Sequence, residues 1–300
     1  MSFEVGCCFV PVLLSQVSAF GLPGRGGSSV LWRIVRGVAL VLITVAVVMA
    51  FFEERFIFFP STYDGGDAWR PPGGDYEDVF FESSDGTQLH AWYFPHAVPR
   101  ANILYCHGNG GDITGRLEIA RQLVRLGASV FLFDYRGYGR SEGSPTERGV
   151  LSDARAARKE FSRRAGVEES EIVLLGRSLG GGVAVDLAAR DGARGLILES
   201  TFTDLADVAA VHYRWLPTRW LLRTRFDSIG KISDYTGQLL QFHGTEDRIV
   251  PVALGKRLFA AASGEAGKQK TLFLWEEGDH NQHPPPDYYQ AMDQFLGRLP

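Results

Sequence analysis

Between residues 101 and 275, short unbroken apolar runs alternate with stretches of helical spacing, and no other feature narrows the possible folds so far. ANILYCHG, SVFLFDY, EIVLLG, GLILES, LLQFHG and TLFLW read as strands apolar on both faces. Among them, residues 113–126 place Ile113, Leu117, Ala120 and Val124 at helical spacing, residues 146–165 read as a helix, and another runs from about Ser178 to Arg190. Strands buried on both faces need helices above and below them, so the expected class is α/β with a mostly parallel sheet. Two earlier runs, VFFES and QLHAWYF, flank the turn Ser84-Asp85-Gly86 and predict a hairpin that adds an antiparallel edge. A composition of 45% hydrophobic and 22% charged residues suits a packed globular body. A net charge of -4, with Lys and Arg scattered, gives no basic face for a nucleic acid. Cys7, Cys8 and Cys106 do not suggest a disulfide framework, since Cys7 and Cys8 are adjacent and Cys106 falls in an apolar strand.

Ahead of this body, GVALVLITVAVVMAFF runs from Gly37 to Phe52 without a charge, and the apolar stretch reaches back to Leu31 with Arg33 and Arg36 near its start. At about 1.5 Å per residue a helix of that length spans a bilayer, with the two arginines reaching the headgroups. Residues 31–55 are therefore expected to form a single membrane anchor, residues 1–30 a poorly defined extension and residues 56–300 the catalytic body. The excess of Arg before the span predicts a cytoplasmic N-terminus, with the body on the opposite side of the membrane. The alternatives are a buried core or interfacial helix and a cleaved signal peptide, but EERFIFFP follows the run and offers no small-x-small cleavage site. The Gly/Ser-rich piece before the anchor also leaves room for a start of translation near Val30.

Two segments match the pattern G-x-S-x-G, GRSLG at 176–180 and GRSEG at 139–143. A nucleophile elbow needs a strand that ends at the motif and a helix that begins on it. Ser178 has EIVLL before it and LGGGVAVDLAAR after it, whereas Ser141 lies between a Gly/Tyr turn and Ser144-Pro145. Ser178 is thus the expected nucleophile and Ser141 a loop residue. A serine hydroxyl needs an imidazole to take its proton, and the imidazole needs a carboxylate to fix its tautomer. His280, in the loop EEGDHNQH after the last strand, is the expected base, ahead of His283; His90, His96 and His212 suit structural roles. Asp247, in LLQFHGTEDRIVP, is the expected acid, ahead of Glu199 at the end of GLILES and of its neighbour Glu246. The order Ser, Asp, His is the one this elbow requires. Two backbone donors would hold the oxyanion: the N–H of Leu179, and from HGNGGD the N–H of Asn109, with Gly110 second.

HGNGG, DYRGYGRSEG, GRSLGGGVA, FDSIGKI, HGTEDRIVP and GDHN occur in order over residues 55–298, and as a set they resemble the α/β-hydrolase superfamily, specifically its membrane-anchored serine hydrolases. The resemblance implies an eight-stranded, mostly parallel sheet, an acyl-enzyme mechanism without cofactor or metal, and a structural role for DYRGYGRSEG. The chain departs from it in its extra N-terminal residues and in lacking a proline within ISDYTGQLLQFHG. Residues 201–236, with Phe202, Tyr213, Trp215, Trp220 and Phe226, are expected to form a small helical insert, either a lid or a cap packed on its own domain. Within it Leu205, Val208, His212 and Trp215 fall at helical spacing. The expected reaction is hydrolysis of a carboxylic ester or thioester, on a small-molecule, lipid or acylated substrate. A silent membrane-bound scaffold and a serine peptidase are the rival readings.

Overall fold

The computed structural model describes residues 28–70 and 75–300; most of the extension, residues 1–30, and the pair Cys7 and Cys8 lie outside the described residues. Helix α1 runs over Ser28–Ile57. Its segment Ser29–Val48 is long and apolar enough to cross a membrane, with 20 residues at a mean hydropathy of 2.1. The chain divides near this point, and Met49–Pro300 is a compact unit that takes in the last turns of α1. Glu53 and Phe58 are buried there.

After β1 (Phe59–Pro60) the expected hairpin is present as β2 (Glu77–Glu82) and β3 (Gln88–Phe94), paired antiparallel. Next come β4 (Ala101–Cys106), β5 (Gly110–Gly111), α2 (Leu117–Arg125), β6 (Ala128–Phe133), α3 (Glu147–Ala165), β7 (Ile172–Arg177) and α4 (Leu179–Asp191). The chain ends with β8 (Gly195–Glu199), α5 (Leu205–His212), α6 (Thr218–Leu221), β9 (Gln238–Gly244), α7 (Val252–Ala261), β10 (Lys270–Trp275) and α8 (Pro286–Arg298). Eight strands form one sheet in the order β10-β9-β8-β7-β4-β6-β3-β2. The six from β6 to β10 are parallel, and β3 joins β6 antiparallel.

Both sheet faces are covered. Alternate residues of each strand point to opposite sides, so Leu104, Leu174 and Leu196 pack with α3 and α4 residues such as Phe161 and Val183. Ile103, Val173 and Ile197 instead meet Leu123 of α2 and Met292 and Phe295 of α8. The helix expected over 113–126 opens with one tight turn, Ile113–Arg116, before α2. The Asp112 carboxylate accepts the Thr114 N–H and the Asp134 carboxylate accepts that of Ile113, drawing the chain into the tighter turn. Trp215 lies past the end of α5 and is 73% exposed, so it does not continue the helical face of Leu205 and Val208. Phe226 is buried, its ring 6.3 Å from that of Phe58, as core rather than lid.

Strand order places the functional loops. Going from β4 to β6 the chain moves to one side of β4, and from β6 to β7 it crosses to the other side. The carboxyl ends of β4 and β7 therefore flank a topological switch point, where open α/β sheets bind their ligands. The register Cys106↔Gly176 sets HGNGG beside Arg177-Ser178, and Gly244↔Trp275 sets the loops after β9 and β10 side by side.

Candidate active site

Ser178 joins the end of β7 to the start of α4 with φ 52° and ψ -116°. Long-range contacts hold this unfavourable backbone. The Ser178 N–H donates to Glu199 O at 2.9 Å, and its carbonyl accepts from Gly181 N–H at 2.9 Å and from Thr201 Oγ1 at 2.8 Å. The glycines around it permit the close approach: a Cβ on Gly180 would stand 2.0 Å from the Cys106 carbonyl oxygen, and one on Gly176 would stand 2.3 Å from Gly180 O. Hence α4 begins close against the sheet, with Ser178 at its N-terminus.

His280 Nε2 is 3.2 Å from Ser178 Oγ, and its Nδ1 is 2.8 Å from Asp247 Oδ2. The structure thus brings the three expected residues into one hydrogen-bonded line from loops after β7, β9 and β10. Asp247 is buried, and its Oδ1 accepts the N–H groups of Ile249 at 3.0 Å and Val250 at 2.7 Å. Burial pushes the Asp247 carboxyl up, but hydrogen bonds with His243, His280 and the Val250 N–H outweigh it and hold the group well below the usual carboxylate range. His243 Nε2 stands 3.4 Å from Asp247 Oδ2 and 2.8 Å from Val250 O, bracing the Asp247 loop from behind.

The rivals are engaged elsewhere. Ser141 Oγ donates to Asp134 O at 2.8 Å and accepts the His90 N–H at 2.9 Å, so it ties a loop to β3. Glu199 is buried, accepts Tyr288 Oη–H at 2.8 Å and pairs with Arg177 at 3.3 Å. His283 and Glu246 are exposed. His90 is paired with Asp78, and His96 Nδ1 accepts the Val98 N–H. His212 Nε2 lies 2.8 Å from Ile249 O and also faces the cavity.

Leu179 is the first residue of α4, where the backbone N–H has no partner within the helix. A Cβ on Gly108 would stand 3.6 Å from Ser178 Cβ, so the HGNGG loop passes in van der Waals contact with the serine. The Asn109 side chain is a clamp: Nδ2–H donates to Ile57 O at 2.5 Å, and Oδ1 accepts Tyr138 Oη–H at 2.8 Å and Phe59 N–H at 3.4 Å. Beside it β1 pairs in parallel with β5, stitching the exit of α1 to this loop.

A cavity of about 860 Å³ opens at Ser178. Its walls are mainly apolar and come from the end of α1 and β1 (Phe56, Ile57, Phe59) and from the insert (Leu205, Val208, Leu216, Leu221). That volume suits one flexible chain or a drug-sized molecule. Among the described residues no cluster of three or more His, Cys, Asp or Glu side chains could hold a metal ion. Sequence reasoning did not find Arg177, whose guanidinium bonds His280 O at 2.6 Å, nor His243, Arg116 or the pairing of Phe59-Pro60. Each acts across a long sequence separation that leaves no local pattern.

Residues 97–231 match the family model described as "Serine aminopeptidase, S33". The chain is 42% identical over 233 residues to an uncharacterized protein of Mycobacterium tuberculosis, covering 75% of this chain and 82% of that one. It is 36% identical over 264 residues to the alpha/beta hydrolase domain-containing protein WAV2 of Arabidopsis thaliana, with 80% and 85% covered. A lysophosphatidylserine lipase, ABHD12 of Danio rerio, is 38% identical over 194 residues, 57% of this chain and 50% of that one. Among solved structures, an esterase of Pyrococcus furiosus superposes with a TM-score of 0.62 at 18% identity, covering 81% of this chain and 98% of its own. The strand order, the elbow at Ser178 and these relatives agree: the chain belongs to the α/β-hydrolase superfamily.

Proposed function

We propose that this protein is a membrane-anchored serine hydrolase that cleaves carboxylic ester or thioester bonds through an acyl-enzyme intermediate. The observation that carries the reading is the continuous hydrogen-bond line from Ser178 Oγ through the His280 ring to the Asp247 carboxylate. Ser178 Oγ attacks the acyl carbon while His280 Nε2 takes its proton, and the negative charge collects on the former carbonyl oxygen. The N–H groups of Leu179 and Asn109 hold that oxygen, helped by the positive end of the α4 dipole. His280 then returns the proton to the leaving oxygen or sulfur. Water, activated by the same imidazole, hydrolyses the acyl-enzyme. Asp247 keeps Nδ1 protonated throughout and stabilises the imidazolium.

The substrate's acyl chain lies in the apolar cavity, with the insert of residues 201–236 as one wall. Of the expected anchor, residues 31–55, the part up to Val48 serves as the membrane span, with a cytoplasmic N-terminus and the body across the membrane. The named relatives that are an esterase and a lysophosphatidylserine lipase support ester chemistry, and the name of the matching family model keeps aminopeptidase activity as the competing outcome. A panel of acyl nitrophenyl esters, acyl thioesters and aminoacyl amides separates the two. Hydrolysis of the esters or thioesters that is lost in Ser178→Ala is expected; turnover of the amides alone would overturn the proposal.

A further inference from the structure

Among the described residues the cavity is lined by two permanent cations, Arg116 and Arg177, and by no Asp or Glu. Arg177 is matched by the Glu199 carboxylate at 3.3 Å. Arg116, from the tight turn after HGNGGD, meets only backbone carbonyls: one terminal nitrogen donates to Gly110 O at 2.6 Å and the other to Gly115 O at 3.5 Å. Its Nε–H is buried and has no acceptor among the described residues. A buried donor left unpaired destabilises a fold, the more so when it belongs to a charged group. The Arg116 charge is felt in the interior: burial first and then this charge lower the pKa of nearby His107 to about 3. A guanidinium presents a planar fork that fits phosphate and carboxylate oxygens in pairs.

The walls from the insert and from the exit of α1 are apolar, so they take the acyl chain and leave the polar floor to the other half of the substrate. Building on the proposed ester chemistry, we infer that Arg116 is a specificity-determining residue that selects substrates with an anionic leaving group, a phosphate or a carboxylate within a few bonds of the scissile ester. A neutral single-chain ester fills the same walls but leaves the guanidinium uncompensated. An anionic one meets the terminal N–H groups that the Gly110 and Gly115 carbonyls leave over, and the free energy gained appears mainly as a lower KM.

The test uses the full chain in detergent and three esters of one acyl length: 1-dodecanoylglycerol, its 3-phosphate and O-dodecanoylglycolate. The wild type is expected to favour at least one anionic ester over the neutral one by about tenfold in kcat/KM, and which one it favours identifies the anion. Arg116→Gln should reduce that anionic-to-neutral ratio by about tenfold, mainly through KM, while Arg116→Lys, which keeps the charge but loses the fork, should fall between the two. On the wild type alone, raising the salt should weaken the preference, a readout that stands even if a variant fails to fold. A ratio of one or less, a ratio unchanged in Arg116→Gln, or a preference indifferent to salt overturns the inference and leaves the ester chemistry intact. Hydrolysis of none of the three esters overturns both.

Discussion

At Ser178 the backbone holds φ 52° and ψ -116°, a conformation that costs a non-glycine residue about 1–3 kcal/mol. Glycine escapes most of that strain, and Ser178 makes no side-chain capping bond that the change would remove. Ser178→Gly should therefore be more stable than Ser178→Ala by about 1 kcal/mol in urea unfolding, with both inactive. Equal stabilities would mean that the elbow is not strained. Asp247→Asn should fold, yet lower kcat by up to about 10⁴-fold, because an amide can present its N–H to Nδ1 and favour the wrong tautomer. The pH behaviour follows from the lowered Asp247 pKa. A carboxylate whose folded pKa lies below its unfolded value contributes stability above the unfolded value, near 4, and loses it as pH falls through the folded one. The stability gap between wild type and Asp247→Asn should thus be constant above about pH 5 and shrink below about pH 4, as read from urea titrations. A gap that closes nearer pH 6 would contradict this. All three residues of this line were legible in the sequence, because each follows an apolar strand and their order is fixed by the elbow. Their supports were not: Arg177 is simply the variable residue of G-x-S-x-G, and its bond to His280 O spans 103 residues.

Among the elements, α4 and its glycines decide how closely Ser178 approaches the sheet. Gly180→Ala would drive a methyl to 2.0 Å from the Cys106 carbonyl, where both sides are backbone and neither can move cheaply. A loss of several kcal/mol is expected, whereas Gly192→Ala, with nothing within 4 Å, should cost far less despite its positive φ. Comparing the two by thermal unfolding checks the argument. One of the carboxylates that hold the insert comes from outside it. Glu53, near the end of α1, accepts the backbone N–H of Arg223 at 3.0 Å and of Thr224 at 2.6 Å. Glu53→Ala leaves these two donors unmet, so amide exchange at Arg223 and Thr224 should accelerate while strand β7 stays protected. Unchanged exchange there would mean that the insert is held some other way. The strands and the hairpin could be read from apolar runs and turn residues. The single helix read over 113–126 is in fact a tight turn and a shorter helix, because Asp112 and Asp134 capture its first N–H groups. Strand order and the pairing of Phe59-Pro60 with Gly110-Gly111 depend on contacts between distant segments, and no local pattern reports those.

For the whole molecule, an apolar N-terminal helix leads into a body whose loops after β4, β7, β9 and β10 meet at one rim of the sheet. The proposed anchoring predicts that the full chain stays with membranes through an alkaline carbonate wash; release into the supernatant would reduce Ser29–Val48 to a peripheral contact. The fold could be inferred from the sequence because strand alternation, the elbow and the order of Ser, Asp and His all agree. The cavity could not, since its walls combine the end of α1, the insert and the loop after β4, which lie far apart in the chain. Everything proposed about catalysis requires that Ser178, and not Ser141, be the reactive hydroxyl. Labelling the full chain with a fluorophosphonate and mapping the adduct by tandem mass spectrometry tests this most directly. The account predicts one adduct on Ser178, lost in Asp247→Asn or His280→Ala far faster than the fold is lost; an adduct on Ser141, or none on a folded chain, would contradict it.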